Sequence, residues 1–250
     1  MMRYKALEID DSIGKEVFFN TFLLEAYETS LLIKSNEFLL TIISQRRDLL
    51  PKSVRVSNEV FHHLRKELSY ENPIDITLCP IEKVSLSIEG LSKDLGEAIE
   101  EFRRIVEFYK NEQEEYYKSL EKKVWDFITE VKSGKVVNSY LGYGIGATPS
   151  MDDIIFGGMI MLYISGQKHV YSIIEKYVKE NMHKTTQTSI YQFTNFFEEK
   201  LIPKVFKELI KKQTFQATLK CLKHGHTSGL DVLYGMFIFH ENFCDLGVVK

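Results

Sequence analysis

The spacing of hydrophobic residues predicts short strands in the first part of the chain. Up to residue 91, stretches rich in β-branched and aromatic residues alternate with polar breaks, which is typical of β-strands. Strands are predicted at residues 16–22, 26–34, 37–44, 54–56, 75–78 and 84–88, with Ser35-Asn36 as a hairpin turn and a short helix at 58–68. Several short strands in succession favour a small antiparallel sheet or a partly closed barrel.

The hydrophobic period changes near residue 91. From Ser92 to Val131, apolar residues recur at steps of three or four and charged residues fill the other positions, which indicates an amphipathic helix, with a break predicted near Lys110. Further helices are predicted at residues 152–165, 170–182, 189–196, 204–222 and 230–240. The pattern therefore predicts an α+β protein, with an antiparallel β-rich, barrel-like domain over residues 1–91 and a mostly helical domain over residues 92–250.

Composition limits the partners and the location. The 250 residues include 32 Lys and Arg against 35 Asp and Glu, a balance that gives no reason to expect nucleic-acid binding. Three widely spaced cysteines without a CxxC pair disfavour a disulfide framework or a structural zinc site. The most apolar segment, residues 154–164, is shorter than the about 20 residues of a membrane span, and the charged N-terminus is unlike a signal peptide. We therefore expect a cytoplasmic protein that does not bind membranes.

Two glycine-containing segments each lead directly into an apolar helix. The first runs from Gly142 to Asp153 and the second from His224 to Asp231. Glycines adopt a positive φ without strain and let a ligand approach the backbone, and N–H groups at the start of a helix bind phosphate or carboxylate. The spacing matches neither a P-loop nor the dinucleotide-binding fingerprint. Two interpretations stay open: an anion-binding site, or two well-capped, closely packed helices.

The two segments also resemble each other, at an offset of 78 positions. The run Ser-Met-Asp-Asp-Ile-Ile-Phe-Gly that ends at Gly157 aligns with Ser-Gly-Leu-Asp-Val-Leu-Tyr-Gly, which ends at Gly235. A Ser followed three residues later by Asp resembles a capping box, and a glycine four residues further on allows another helix to approach closely. We infer that the two helices cross near these glycines and that their N-termini come together.

Asp152 and Asp153 place negative charge beside a loop that suits an anion. Three explanations stay open: a Mg²⁺ ion bridges carboxylate and phosphate, a carboxylate accepts a hydrogen bond from an amide or amine of the ligand, or a carboxylate caps the helix. We favour Asp152 facing the ligand and Asp153 as the cap. His226 is the other candidate catalytic residue because it lies within a glycine-containing loop, although a structural role is also open. His224 and His226 alone are a weak metal signal, so no metal site is predicted.

The segment from Leu141 to Asp153, followed by Gly225–Gly235, resembles a bacterial family associated with one subunit of oxamate carbamoyltransferase, in anaerobic purine (allantoin) degradation. The family pattern is close to G-x-G-x-G-L-T-P-S-G-D-D, then T-x-x-S, then G-H-S-S-G-x-D, and residues 185–189 lie where the middle part belongs. Ala147 and Met151 depart from it, since the family has Leu and Gly there. The second departure leaves a changed ligand or an inactive site open.

The resemblance implies a complex that interconverts oxalurate plus phosphate with oxamate plus carbamoyl phosphate. Backbone N–H groups would then hold phosphate or carboxylate, a carboxylate would accept from the carbamoyl NH₂, and His226 would donate to a carbonyl, as oxyanion stabilisation requires. The partners implied are a small anionic or carbamoyl-bearing metabolite and other subunits of the transferase. No cofactor is predicted, with Mg²⁺ left open. The predicted substrate-binding residues are Gly142, Gly144, Gly146, Thr148, Ser150, Asp153, Thr185, Ser189, Thr227, Ser228, Gly229 and Asp231.

Two other functions stay open for the same residues. The first is a non-catalytic module that binds a small anion or metabolite, or regulates a partner, through the same site. The second is a scaffold subunit whose capped helices serve only to bind other proteins. Binding of a small anion would separate the transferase subunit and the non-catalytic module from the scaffold subunit. Activity without added partner subunits would separate an enzyme from a module.

Overall fold

The computed structural model describes residues 2–36, 38–91, 95–112 and 114–244. The predicted strand start at residue 37 and the predicted helix start at Ser92 lie outside the described residues. The described chain divides into two compact units. One contains the residues up to Ser87 together with Glu199–Lys207, and the other contains Ile88–Glu198 together with the residues from Glu208 onward. A domain boundary at residue 91 stays a prediction.

Six strands of the first unit form a closed barrel. They are Met2–Asp10 (β1), Val17–Ala26 (β2), Ser30–Ser35 (β3), Phe38–Ser44 (β4), Ser53–Val56 (β5) and Ile74–Val84 (β6), in the order β1-β5-β4-β3-β2-β6. The β1–β6 and β4–β5 neighbours are parallel, and the remaining neighbours are antiparallel. One helix, Asn58–Glu67 (α1), lies between β5 and β6 in the chain. The structure confirms the predicted α+β class with a barrel at the N-terminal end.

Alternating apolar side chains of the strands fill the barrel. Its core includes Phe18, Leu31, Ile33, Leu40, Val54, Val56, Ile76 and Leu78, and Phe61 and Leu64 of α1 join it. Asn36 has a positive φ of 52° between β3 and β4, as a tight hairpin turn requires. The predicted hairpin at Ser35-Asn36 is therefore confirmed.

A short segment from late in the chain completes the first unit. Leu201 packs in a small apolar cluster with Ile43, Leu49 and Leu86. Lys204 forms an ion pair with the buried Glu8 at 2.5 Å. The predicted strand at residues 84–88 is reduced to a single bridge between Ser87 and Leu201.

The later part of the chain is helical. The helices are Gly96–Glu112 (α2), Glu114–Lys132 (α3), Ser150–Ile164 (α4), Lys168–Asn181 (α5), Gln187–Glu199 (α6), Lys204–Lys212 (α7), Phe215–Leu222 (α8) and Ser228–Phe239 (α9), and a π-helical turn, His240–Cys244, follows. The predicted helix at 204–222 is two helices, because Gln213 has a φ of 50° and Thr214 caps α8. Among the described residues, no helix is long and apolar enough to cross a membrane.

Glycines set the packing of α4 against α9. A Cβ atom at Gly157 would lie 2.1 Å from the Val232 carbonyl oxygen, and a Cβ atom at Gly235 would lie 2.0 Å from that of Ile154. The two contacts are equivalent under the 78-position offset, so the helices pack in a pseudo-twofold manner. This confirms the sequence inference that the two helices meet at these glycines.

Candidate functional site

The Ser-x-x-Asp pair of α4 reaches across to α9. The Ser150 hydroxyl donates to Asp231 Oδ2 at 2.7 Å. The N-cap of α4 is Pro149, and no side chain caps this helix. The prediction of a capping box within α4, with Asp153 as the cap, is therefore wrong. Close packing at the glycines brings the Asp of the other helix within reach of the serine.

The corresponding pair of α9 interacts with α4 through a threonine. Ser228 Oγ lies 2.9 Å from Thr148 Oγ1, and the Thr148 hydroxyl donates to Asp153 Oδ2 at 2.8 Å. Thr227 holds the N-cap position of α9 without a side-chain cap bond. Ser150 with Asp231, and Thr148 with Asp153 and Ser228, thus form two neighbouring hydrogen-bonded groups, which are together called the Ser–Asp cluster.

The two carboxyl groups of the Ser–Asp cluster are buried, and burial controls their ionisation. Burial raises the pKa of Asp231 to about 6, although the hydroxyls of Ser150 and Tyr117 work against the rise. Burial also raises the pKa of Asp153 well above its usual value, against the lowering by Ser228 and Thr148, and the charge of Asp231 adds to the rise. The adjoining helix ends therefore hold two carboxyl groups that resist full ionisation.

Asp152 organises the loop instead of lying in the open. It is 2% exposed, and its Oδ1 accepts from the Gly142 N–H at 2.8 Å. Its Oδ2 accepts from the Thr185 hydroxyl. Burial raises its pKa, while the Thr185 hydroxyl and the Gly142 N–H lower it. Gly142, Asp152 and Thr185 thus form a second group, which ties the first loop to the segment before α6. The buried Ser189 hydroxyl, on α6, has no hydrogen-bond partner among the described residues.

In the first glycine loop, residues 142–148, residues 144–147 are exposed. Gly142, Gly144 and Gly146 have φ values of +80°, +122° and +102°. At Gly142 a Cβ atom would lie 2.3 Å from the Lys184 carbonyl oxygen, and at Gly144 it would lie 2.5 Å from the Ser150 nitrogen. In the described part of the chain, the N–H groups of residues 145–147 have no hydrogen-bond acceptor. These three exposed groups are free to bind a ligand or water.

The second loop, residues 224–227, precedes α9. His226 is exposed and Thr227 is half-buried. The Gly229 N–H donates to the His224 carbonyl at 2.9 Å. A Cβ atom at Gly229 would lie 1.8 Å from the Cys221 carbonyl oxygen, so this glycine is required by the packing of α8 against α9.

Two tyrosines of α3 belong to the site and were not among the site residues predicted from the sequence. Tyr117 donates to Asp231 Oδ1 at 2.9 Å, and the Tyr116 hydroxyl bonds to Ser150 Oγ. The sequence signal for them is that both adjacent aromatic residues carry a hydroxyl group, which apolar packing does not need. The position of a partner helix more than 30 residues away is not encoded in that pattern.

Met151 and metal binding bear on the alternatives left open by the sequence. The Met151 side chain is fully buried in the core, so its replacement of a family glycine does not fill the exposed loop. Among the described residues, no three His, Cys, Asp or Glu side chains are grouped to hold a metal ion. A Mg²⁺ ion that bridges one carboxylate and a ligand phosphate does not need such a group, and it stays a prediction.

The geometry defines an α+β protein in which two buried helices of similar sequence share Ser and Asp side chains beside two glycine loops. Residues 140–239 match the family model of oxamate carbamoyltransferase subunit AllH, and this span includes both loops and α4 to α9. The match confirms the family resemblance predicted from the loop residues. No curated protein and no solved structure matches the chain.

Proposed function

We propose that this chain is a subunit of an oxamate carbamoyltransferase and that it binds a small anionic or carbamoyl-bearing metabolite at its two loops. The observation that carries the proposal is the 2.9 Å contact between Thr148 and Ser228, which are 80 positions apart. It joins the ends of the two loops that the sequence singles out. The family match over residues 140–239 supports the reaction class.

The ligand in this proposal contacts the loops and not the first turns of the two helices. The N-terminal turn of α4 is buried, and Asp153 and Asp231 already occupy the space between the helix ends. The exposed N–H groups of residues 145–147 suit a phosphate or carboxylate, because successive N–H groups in positive-φ turns form anion-binding concavities. Thr148 and Thr227 border the same loops.

The candidate catalytic residues take different roles in this proposal. Asp152 holds the Gly142 N–H and so fixes the loop. His226 is exposed on the second loop and donates a hydrogen bond to the ligand carbonyl, where negative charge develops during transfer. Transfer of a carbamoyl group between nitrogen and a phosphate oxygen needs no covalent enzyme intermediate, so orientation of the two reactants supplies much of the rate. The other subunits of the transferase are the proposed protein partners.

Calorimetry on the His226→Ala variant tests this proposal. We expect the purified protein to bind at least one of phosphate, oxamate, oxalurate and carbamoyl phosphate. Loss of one hydrogen bond to a polarised carbonyl is expected to weaken that binding about tenfold. His169→Ala is the matched control, because His169 is also exposed but lies on α5, and its affinity is expected to equal that of the wild type.

Two outcomes would contradict parts of the proposal. If none of the four compounds gives heat or a thermal shift, the loops do not form a ligand site. If the purified chain turns over oxalurate and phosphate without other proteins, it is a complete enzyme and not a subunit. Addition of Mg²⁺ to the titrations tests the bridging alternative, and we expect the affinity to be unchanged by it.

A further inference from the structure

A chain of hydrogen bonds connects a half-buried tyrosine to a buried carboxyl group. The Tyr116 hydroxyl bonds to Ser150 Oγ, and Ser150 Oγ donates to Asp231 Oδ2 at 2.7 Å. Asp231 is fully buried, whereas Tyr116 is partly exposed on α3. The other carboxyl oxygen, Oδ1, accepts from Tyr117. Tyr116 is therefore the end of the chain that lies nearest to solvent.

The direction of this chain follows from counting hydrogens. A serine hydroxyl carries one hydrogen, and Ser150 gives it to ionised Asp231, so Tyr116 must be the donor to Ser150. Oδ1 accepts from Tyr117 and Oδ2 accepts from Ser150, and a proton that binds Oδ2 is the one that affects Tyr116. The protonated carboxyl then donates to Ser150, and Ser150 donates to Tyr116. Protonation of Asp231 thus reverses every hydrogen bond between it and Tyr116.

The reversal changes what Tyr116 offers to its surroundings. With Asp231 ionised, the phenol hydrogen points inward and the oxygen offers lone pairs to a neighbour. With Asp231 protonated, the phenol hydrogen is free to be donated outward. Tyr116 bonds to Ser150, and Ser150 adjoins the first glycine loop. A Cβ atom at Gly144 would lie 2.5 Å from the Ser150 nitrogen, and the Met151 N–H donates to the Tyr143 carbonyl oxygen at 3.0 Å. An anion oxygen that accepts a hydrogen bond from Tyr116 therefore requires the second state.

We propose that Tyr116 is a positioning residue that couples the protonation of Asp231 to the ligand site, so that an anion bound beside it is taken up together with a proton. The location of the anion rests on the proposed function. The proton balance is simple: one proton binds the Tyr116 oxygen, the phenol hydrogen passes to Ser150, and the Ser150 hydrogen passes to Asp231 Oδ2. No other bond changes.

The groups that face this chain favour proton uptake near neutral pH. Asp153 of α4 lies close enough to repel the negative charge of Asp231. Tyr117 of α3, Tyr143 of the loop and Tyr234 of α9 are the other titratable groups near the two tyrosines. Burial raises the pKa of Asp231 to about 6, so at pH 7.5 the anion needs roughly a 30-fold preference for the protonated state to bring in about half a proton.

The first test needs no ligand. Carboxyl-carbon NMR gives the pKa of Asp231 in the wild type, in Tyr116→Phe and in Tyr143→Phe. In Tyr116→Phe, Ser150 no longer accepts a hydrogen bond from the phenol. Its own hydrogen bond to the Asp231 carboxylate is then weaker, because hydrogen bonds in a chain strengthen one another. We expect the pKa of Asp231 to rise by about 0.5 in Tyr116→Phe and to be unchanged in Tyr143→Phe. An unchanged pKa in Tyr116→Phe would overturn the proposal.

The second test measures protons taken up with phosphate. Calorimetric titration at pH 7.5 in two buffers of different ionisation enthalpy gives this number. We expect an uptake of about half a proton per phosphate in the wild type, and none in Tyr116→Phe or Asp231→Asn. Uptake that persists in Asp231→Asn would place the proton on phosphate itself and overturn the coupling.

Failure of the proposed function has a different signature. If wild-type protein binds no phosphate and none of the other three compounds, the ligand site is wrong and the uptake on binding is wrong with it. If phosphate binds to wild type with no proton uptake, the ligand site stands and the coupling is overturned. Tyr116→Phe retains the aromatic ring, and its thermal unfolding midpoint shows whether it is folded.

Discussion

At the scale of single residues, the buried carboxyl of Asp231 makes stability depend on pH. Its pKa is about 6 in the folded protein, against an ordinary value of 3.8. The folded state therefore keeps this proton at pH values where the unfolded chain has lost it. The resulting stabilisation is fully present below pH 4 and is lost as the pH rises through 6, and it amounts to about 3 kcal/mol.

Asp231→Asn is expected to remove this pH dependence. Relative to wild type, the variant should be more stable at pH 8 than at pH 4, with a difference in the free energy of unfolding of about 3 kcal/mol. The reason is that the neutral amide carries no charge to bury. Urea denaturation at the two pH values measures it. Asp126→Asn, on the exposed side of α3, is the control and should show no such difference. If the free energy of unfolding of Asp231→Asn differs from that of wild type by the same amount at pH 4 and pH 8, the Asp231 carboxyl is not the cause of the pH dependence.

The Ser and Asp residues of the candidate site were predictable from the sequence, but their partners and the two tyrosines of α3 were not. The repeated Ser-x-x-Asp pattern identified Ser150, Asp153, Ser228 and Asp231 correctly as related positions. It suggested bonds within each helix, because a capping box and a bond to an equivalent partner helix use the same residue types at the same spacing. The choice between them depends on helix packing, which a linear pattern does not contain.

At the scale of elements, the contact between α4 and α9 depends on glycine. The Ile154 carbonyl would lie 2.0 Å from a Cβ atom at Gly235, and backbone atoms cannot move aside as the end of a side chain can. Gly235→Ala is therefore expected to push the helices apart and to destabilise the protein by about 3 kcal/mol. Thermal and urea unfolding measure the loss.

Gly166→Ala provides the control for that substitution. A Cβ atom at Gly166 has nothing within 4 Å, but φ is +72° there, so only backbone strain of about 1 kcal/mol is expected. Separation of the helices should also break the Ser150–Asp231 bond, so Gly235→Ala should alter the pH dependence of stability as well. If the two variants lose the same free energy of unfolding, the close contact between α4 and α9 does not determine the stability of the protein.

The helices were easier to predict than the strands. The helices of the later part follow a long, regular apolar period, and the sequence pattern located most of them. Strand β1 was not predicted, because Lys5, Glu8 and Asp10 give it the composition of a surface segment. In the structure Glu8 is buried between Arg55 and Lys204, and the Lys52 N–H donates to Asp10. Charges that are neutralised by distant residues hide a buried strand from sequence analysis.

At the scale of the whole molecule, the barrel unit is not continuous in the chain. Ser87 bonds to the Glu199 carbonyl oxygen across 112 positions, and Lys52 forms an ion pair with Glu199 at 2.6 Å. The hydrophobic period changes at residue 91, and the sequence predicts a domain boundary there for that reason. A change of period marks where one kind of element ends, but it does not show which distant segment returns to complete a core.

A comparison of two fragments tests whether residues 1–91 suffice as a folding unit. We expect residues 1–91 alone to be less stable than the same residues joined by a Gly/Ser linker to residues 199–212. The added segment buries Leu201 against Ile43, Leu49 and Leu86, which contributes about 2 kcal/mol, and it supplies Lys204 to Glu8. Urea denaturation of both fragments gives the difference.

The control for this comparison is the linked fragment with Leu201→Ala. It keeps the linker and the ion pair with Glu8 but lacks most of the apolar contact, so its stability should lie between those of the other two fragments. Equal stability of residues 1–91 and the linked fragment would contradict a structural role for the returning segment. In that case the boundary at residue 91 would describe the folding unit, and the charge of Glu8 would be neutralised by Arg55 alone, at 2.8 Å.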